Sequence, residues 1–478
     1  MFLKGRFGPT GFKPAFFFSS APSASYSWLD AALCVGPALL LFLFLRHYPD
    51  PSGVNGYFYL KQTQSLSHLH QFYFKDYSIA FFFPAALATL GISNLLSFQL
   101  SIALTILALF LGLRRLLAKL RPGAPFWAFA LPLVVSMPLL DFSVNFFKNL
   151  FALTLFIWAL ALSEKDKRWI AAILYILAFF SHKSILLIGA IFLSIQYLRE
   201  KGYKGLFLLA GASTAILGIF VAVFPKGREF LLAIPGFLHF RPIGFFWIWS
   251  HIRQDVAFLI LYLDLAIAIA VYIWKRAKLS RSLQTYGDSV LLLILLAIHP
   301  FQLLSADGPA YRLLILLPVL VFPLLASLLE KRTLAALVAL QFLQLFRTFH
   351  EDLPEKLIPP WSHCASGVEA IEKFVRPADH ITAQHGLEFF VDYMTGIRCR
   401  SFISDDSEIK QFRVAYVPSS LVNDTEGDQT IAKLKLTQIC PDYVLLKEDD
   451  WRRIAALYLI PGNFRNPEDH RPEHLQDY

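Results

Sequence analysis

The chain has 478 residues, of which 56% are hydrophobic and only 17% charged, with a mean hydropathy of +0.51. Soluble domains carry about 25% charged residues, so this balance argues against an ordinary soluble enzyme and for a membrane protein. A formal charge of +9 invites a nucleic-acid reading. However, the Lys and Arg residues fall in short clusters between apolar runs, with no basic face, which speaks against nucleic acid as a partner.

Residues 1–27 open with basic side chains, but their apolar stretch is only "AFFF", too short for a cleavable signal. They read as a cytoplasmic lead-in. A membrane helix needs roughly 17–25 mostly apolar residues. The segments that meet or approach this length are 28–45, 95–113, 125–140, 150–162, 169–180, 185–197, 206–224, 256–274, 290–304, 313–329 and 334–346. The expected fold class is therefore an α-helical polytopic membrane protein of about eleven transmembrane helices. Residues 78–90, "SIAFFFPAALATL", are half a bilayer long and broken by Pro84, and they read as an interfacial or re-entrant helix in the first outer loop.

The basic clusters "RRLLAKLR", "EKDKR", "REKGYK", "KRAKLSR" and "EKR" all fall on one face if 78–90 does not cross. Positive side chains stay inside, so that face is cytoplasmic and the opposite loops are extracytoplasmic. The N-terminus is expected in the cytoplasm. From residue 348 the composition turns soluble, and "ADHITAQHGLEFFVDYMTG", "FRVAYVP" and "CPDYVLLKEDDWRRIAALY" alternate as strands, helices and turns. The expected division is 1–27 cytoplasmic, 28–347 transmembrane, and 348–478 a small extracytoplasmic α/β domain. "QHGLEFF" and "KEDDW" within that domain read as surface and turn segments. The four cysteines lack metal-ligand spacing, and a disulfide among Cys364, Cys399 and Cys440 stays open.

Charged residues at the outer membrane boundary carry the chemistry, because burying them is costly. Asp50 follows the first span, in "RHYPDPSGVNGYFYLKQ". Asp141 follows the third, in "MPLLDFSVNFFKNL", with Lys148 beyond it. His182 and Lys183 lie in "SHKS", and Tyr311 and Arg312 in "SADGPAYR". Taken singly, each has an ordinary role. Asp50 between two prolines suits a turn, Asp141 suits a helix N-cap, and the lysines suit headgroup contacts. Together they suit transfer from a phosphate-linked donor. Cations hold the phosphate, and a carboxylate takes the proton of an attacking hydroxyl. A second carboxylate orients the acceptor or holds a divalent metal. Asp50 is placed as general base, with Tyr57 and Tyr59 packing on sugar or lipid and Asp76 the candidate second carboxylate of the first loop.

The order of these features resembles the GT-C superfamily of membrane glycosyltransferases, which includes protein O-mannosyltransferases, aminoarabinose transferases and oligosaccharyltransferases. The resemblance runs through Asp50 with "NGYFYLKQTQSL", "SIAFFFPAALATLGISN", "LGLRRLLAKL", Asp141 and "AYRLLILLPVL". It implies a transferase in the inner (cytoplasmic) membrane. Its donor would be a polyprenyl-phosphate-linked sugar, and its acceptor an extracytoplasmic glycan, lipid or protein. Many relatives carry an acidic pair in the first loop, whereas here Asp50 is followed by Ser52 and Asn55. The segment from "FFKNL" to "SHKSILL" also resembles polysaccharide polymerases of the Wzy or EpsG kind, which act on lipid-linked oligosaccharides. A transporter is a third class, disfavoured by the lack of similar halves and by the few charges at mid-bilayer.

Overall fold

A run such as "WLDAALCVGPALLLFLFLRH" has no polar face to turn toward water, so as a helix it must be covered on every side. In the computed structural model this run forms α1 (Trp28–His47), buried on Cys34, Ala38, Leu41 and Leu45 along one stripe. Its opposite stripe leaves Val35, Leu39, Leu40 and Leu43 more than half exposed. The structure describes residues 28–53, 55–73, 76–134, 136–163, 167–182, 184–203, 211, 241–242, 256–298, 301–302, 309–350, 365, 368, 381–383, 387–396, 399–401, 412–416, 437–440 and 443–447.

The described chain is mostly helical. After α1 come two short helices in the first loop, α2 (Gly56–Gln64) and α3 (Phe82–Thr89), followed by α4 (Asn94–Leu120). By length and composition, α1 and α4 can each cross a membrane. They run antiparallel. Arg114 near the end of α4 pairs with Asp30 near the start of α1 at 2.9 Å, while Gln99 Nε2 donates to the Leu45 carbonyl at 2.8 Å.

The segment 125–140, expected as one span, is instead two pieces, α5 (Trp127–Val134) and α6 (Met137–Asn145). The break has a local cause. The Ser136 hydroxyl accepts from the Leu139 amide and Pro138 opens the next helix, which is the chemistry of a helix start. Each piece is only about 12–14 Å long at 1.5 Å per residue. Then come α7 (Phe147–Leu162), α8 (Arg168–Ser181), α9 (Ser184–Lys201), α10 (Val256–Lys275), α11 (Arg281–Ile298), α12 (Pro309–Leu328) and α13 (Lys331–His350). The expected span 290–304 is shifted. Its helix begins at Arg281 and ends at Ile298, before β2 (Phe301–Gln302) pairs antiparallel with β1 (Arg241–Pro242). The expected span 206–224 lies outside the described residues.

The helices pack closely where small residues permit it. A Cβ on Gly112 of α4 would meet the Trp158 ring of α7 at 3.0 Å, and the indole Nε1 donates to the Ala108 carbonyl at 2.8 Å. Two ends of the helical assembly differ in character. At one end the basic clusters meet. Lys119 donates to the Leu160 carbonyl at 2.8 Å, Arg121 to Ser327 at 2.9 Å, and Lys275 to Leu328 at 2.7 Å, so these cations close the C-terminal carbonyls of α7 and α12. Arg199 and Arg276 meet on Asp288. At the other end lie the first loop and the α6–α7 junction.

In the C-terminal region, β3 (Ile381–Ala383), β4 (Cys399–Ser401), β5 (Phe412–Tyr416), β6 (Thr437–Cys440) and β7 (Tyr443–Lys447) form one mixed sheet of order β4-β3-β5-β7-β6. β3 is parallel to β4 and β5, and β7 is antiparallel to β5 and β6. The parallel pair β3 and β4 is joined through α14 (Leu387–Thr395), as a parallel connection requires a crossover. Cys399 in β4 and Cys34 in α1 are both buried. Cys364 and the side chain of Cys440 lie outside the described residues.

Candidate functional site

The loop after α1 turns through Pro49, Asp50, Pro51 and Ser52 and reaches Gly53 at φ +77°, where only glycine sits without strain. A Cβ there would stand 2.6 Å from both Asn145 Oδ1 and the Val144 carbonyl. The loop thus lies directly against the end of α6, the helix that carries Asp141. α2 is anchored on the same place, since Tyr59 Oη donates to the Asn145 carbonyl at 3.1 Å. Asp50 is buried, 3% exposed, and accepts a 2.5 Å hydrogen bond from Tyr57 Oη in the first turn of α2. Burial, and then the bond to the carboxylate, push the Tyr57 phenol far above the usual tyrosine range. It remains a donor at every physiological pH.

Tyr57 is itself held by the C-terminal region. Its ring lies 4.7 Å from Phe390 and 5.5 Å from Tyr393, and Phe58 lies 5.0 Å from Phe389. Lys61 of α2 pairs with Asp392 at 3.2 Å, and Tyr73 Oη donates to the same carboxylate. Of the segment "QHGLEFF", expected on the surface, Leu387 to Phe390 form the start of α14, while its first three residues lie outside the described residues. Leu387, Glu388, Phe390, Val391 and Asp392 are buried. The reason is the aromatic face of α2, against which Phe389, Phe390 and Tyr393 pack.

Next to this clasp, Lys148 at the start of α7 pairs with Asp76 at 2.5 Å and stands 5.8 Å from both the Phe58 and Phe81 ring centres. The loop at 76–81 is fixed by the Ser78 hydroxyl, which donates to the Ser181 carbonyl at 2.6 Å. That carbonyl ends α8, and the next residue, half-buried His182, takes an extended backbone with its amide bonded to Ala178.

The candidate residues therefore stand as follows. Asp50, Tyr57, Tyr59, Asp76 and Lys148 converge through α2, the 76–81 loop and the start of α7. The side chains of Tyr57 and Tyr59 are buried. Tyr59 packs among Phe81, Phe98 and Phe147. Asp76 is held by Lys148. Asp141 lies within α6, whose cap is Ser136, so it is not an N-cap. Its side chain lies outside the described residues, as do Lys183 and the side chains of Tyr311 and Arg312 in the first turn of α12. That helix packs on α5 and α6. Two buried polar atoms, Ser52 Oγ and Asn149 Nδ2, have no hydrogen-bond partner among the described residues. They are adjacent in the chain to Pro51 and Lys148. Among the described residues no three His, Cys, Asp or Glu side chains are placed to hold a metal ion.

One buried polar pair is not among the residues singled out from the sequence. Asp264, in the middle of α10 and 3% exposed, accepts from Gln341 Nε2 of α13 at 2.6 Å. Its other oxygen has no hydrogen-bond partner among the described residues. A lone Asp in "LILYLDLAIAIAV" was the available signal. Neither a protein-family model nor a curated protein matches this chain.

Proposed function

We propose that this chain is an integral membrane glycosyltransferase that moves a sugar from a polyprenyl-phosphate-linked donor to an extracytoplasmic glycan, lipid or protein. It would sit in the inner (cytoplasmic) membrane with about eleven helical passages, one of them broken between α5 and α6. The C-terminal residues form an extracytoplasmic α/β domain in this reading. Support for the membrane comes from the apolar outer faces of the helices. Large apolar side chains stand exposed on α1, α4, α8, α10 and α11, where a water-soluble bundle would be polar. Clustering of the cations at one end supports the orientation.

The observation that carries the activity is the buried Asp50, bonded to Tyr57 and set against α6, the helix of Asp141. A carboxylate out of water, held in one orientation, suits a general base for an acceptor hydroxyl, and such help is worth about 10²–10⁴-fold in rate. The leftover polar atoms Ser52 Oγ and Asn149 Nδ2 are suited to bond a sugar or phosphate oxygen. Arg312 would hold the donor phosphate.

The test is turnover of a polyprenyl-phosphate sugar by purified protein in lipid. Asp50→Asn should lose about 10²–10⁴-fold in rate with donor binding retained, while Arg312→Ala should weaken donor binding. Near-normal Asp50→Asn with inactive Asp141→Asn would move the base to Asp141. Activity in both variants would sink the reading.

A further inference from the structure

The basic end of the molecule is not uniform. Lys119, Arg121 and Lys275 are consumed by helix-end carbonyls, and Arg114 by Asp30. Around the link from α10 to α11 the balance differs. There Asp288 receives Arg199, Arg276 at 2.9 Å and the Tyr272 hydroxyl at 2.5 Å. Arg281 donates to the Arg199 carbonyl rather than to an anion. Lys278 and Arg281 are exposed, and the Arg276 side chain is 52% exposed although ion-paired. Arg199 and Arg276 thus share Asp288, Lys278 and Arg281 add positive charge beside them, and Arg199, Arg276 and Arg281 are tied in place by hydrogen bonds.

Immediately before this turn, Ile273 and Trp274 are 60% and 79% exposed at the last turn of α10. Lys275 lies over the Trp274 ring at 5.7 Å. An exposed tryptophan at a helix end beside fixed cations has the layout of a membrane interface, apolar below and anionic above. Free phosphate would use the cations but not the apolar side chains, so the pair of features selects a lipid.

We propose that the turn Arg276–Lys278, with Arg199 and Arg281, binds the phosphate headgroup of an anionic phospholipid whose acyl chains lie against Ile273 and Trp274. This rests on the membrane reading above and is independent of the transferase chemistry. Each basic residue near an anionic surface contributes about a fivefold preference, so the exposed pair Lys278 and Arg281 accounts for roughly 25-fold.

The full-length protein in neutral detergent is titrated with phosphatidylglycerol, phosphatidylcholine and inorganic phosphate, with bound lipid counted by native mass spectrometry. Wild type should retain phosphatidylglycerol over phosphatidylcholine. Lys278→Gln with Arg281→Gln should lower phosphatidylglycerol affinity roughly 25-fold and leave phosphatidylcholine unchanged. Trp274→Ala should weaken the lipid and not phosphate. Equal retention by wild type and the double variant would overturn the proposal, as would phosphate competing as well as the lipid. Alkaline carbonate extraction separates the premises. A chain that leaves the membrane fails both readings, and one that stays but shows no lipid preference fails this one alone.

Discussion

Asp50 shows how little chain is needed to fix a carboxylate. Two flanking prolines restrict its backbone, Gly53 supplies the left-handed turn, and Tyr57 in the first turn of α2 supplies the proton donor. Tyr57→Phe keeps the ring on Phe390 and Tyr393 and removes only the hydroxyl. A hydrogen bond to a charged group is worth about 1.5–3 kcal/mol. Turnover should therefore fall about 10- to 100-fold, with donor affinity retained and the thermal unfolding midpoint within a few degrees of wild type. Unchanged kcat would remove Tyr57 from the site. The Pro-Asp-Pro-Ser-Gly string was readable in the sequence, because turn residues announce themselves locally. The partner of Tyr57 was not, since ring contacts to Phe390 depend on packing that no local pattern encodes.

Elements carry the next level of the argument. The break between α5 and α6 was written in "SMP", a capping serine and a proline, but the apolar composition of 125–140 hid it. Helix α14 was read as surface because its charged residues look solvated. In the fold, Asp392 is buried and bound by Lys61 and Tyr73. Removing one partner of a buried pair costs about 3–5 kcal/mol. Asp392→Asn should therefore loosen α14 from α2, seen as faster proteolysis between residues 350 and 380 while the helical core stays resistant. Equal cleavage rates would show that the clasp is unimportant. A second element-level test concerns α10 and α13. Gln341→Leu strips Asp264 of its side-chain donor deep between helices and should destabilise the protein by about 1–3 kcal/mol, measured by thermal unfolding in detergent. Replacing both Asp264 and Gln341 by leucine should recover much of that loss, since a polar pair exchanged for apolar groups is close to neutral.

At the scale of the whole molecule, the sequence conveyed class and polarity better than span limits. Composition and the spacing of basic clusters are global properties that survive local error, so the meeting of Arg121, Lys275 and Arg199 at one end was foreseeable. Helix ends were not. α4 runs to Leu120 and α11 starts at Arg281 because charged side chains continue a helix beyond its apolar stretch. The proposed topology is tested by reporter fusions. Alkaline phosphatase joined after Arg121, Arg168 or Lys278 should be inactive, and after Tyr478 active. An active fusion at Lys278 would invert the arrangement.

The clasp between α2 and α14 also sets a clock for synthesis. Lys61 waits for Asp392, which lies 331 residues further along the chain. At about 5–20 residues per second, ribosomes need roughly a quarter of a minute to a minute to make that stretch. Through that interval the aromatic face of α2 has emerged without its cover, and Tyr57 lacks the rings that hold it. In the proposed enzyme a nascent chain is therefore inert toward its donor, and competence arrives only when almost the entire polypeptide has been made.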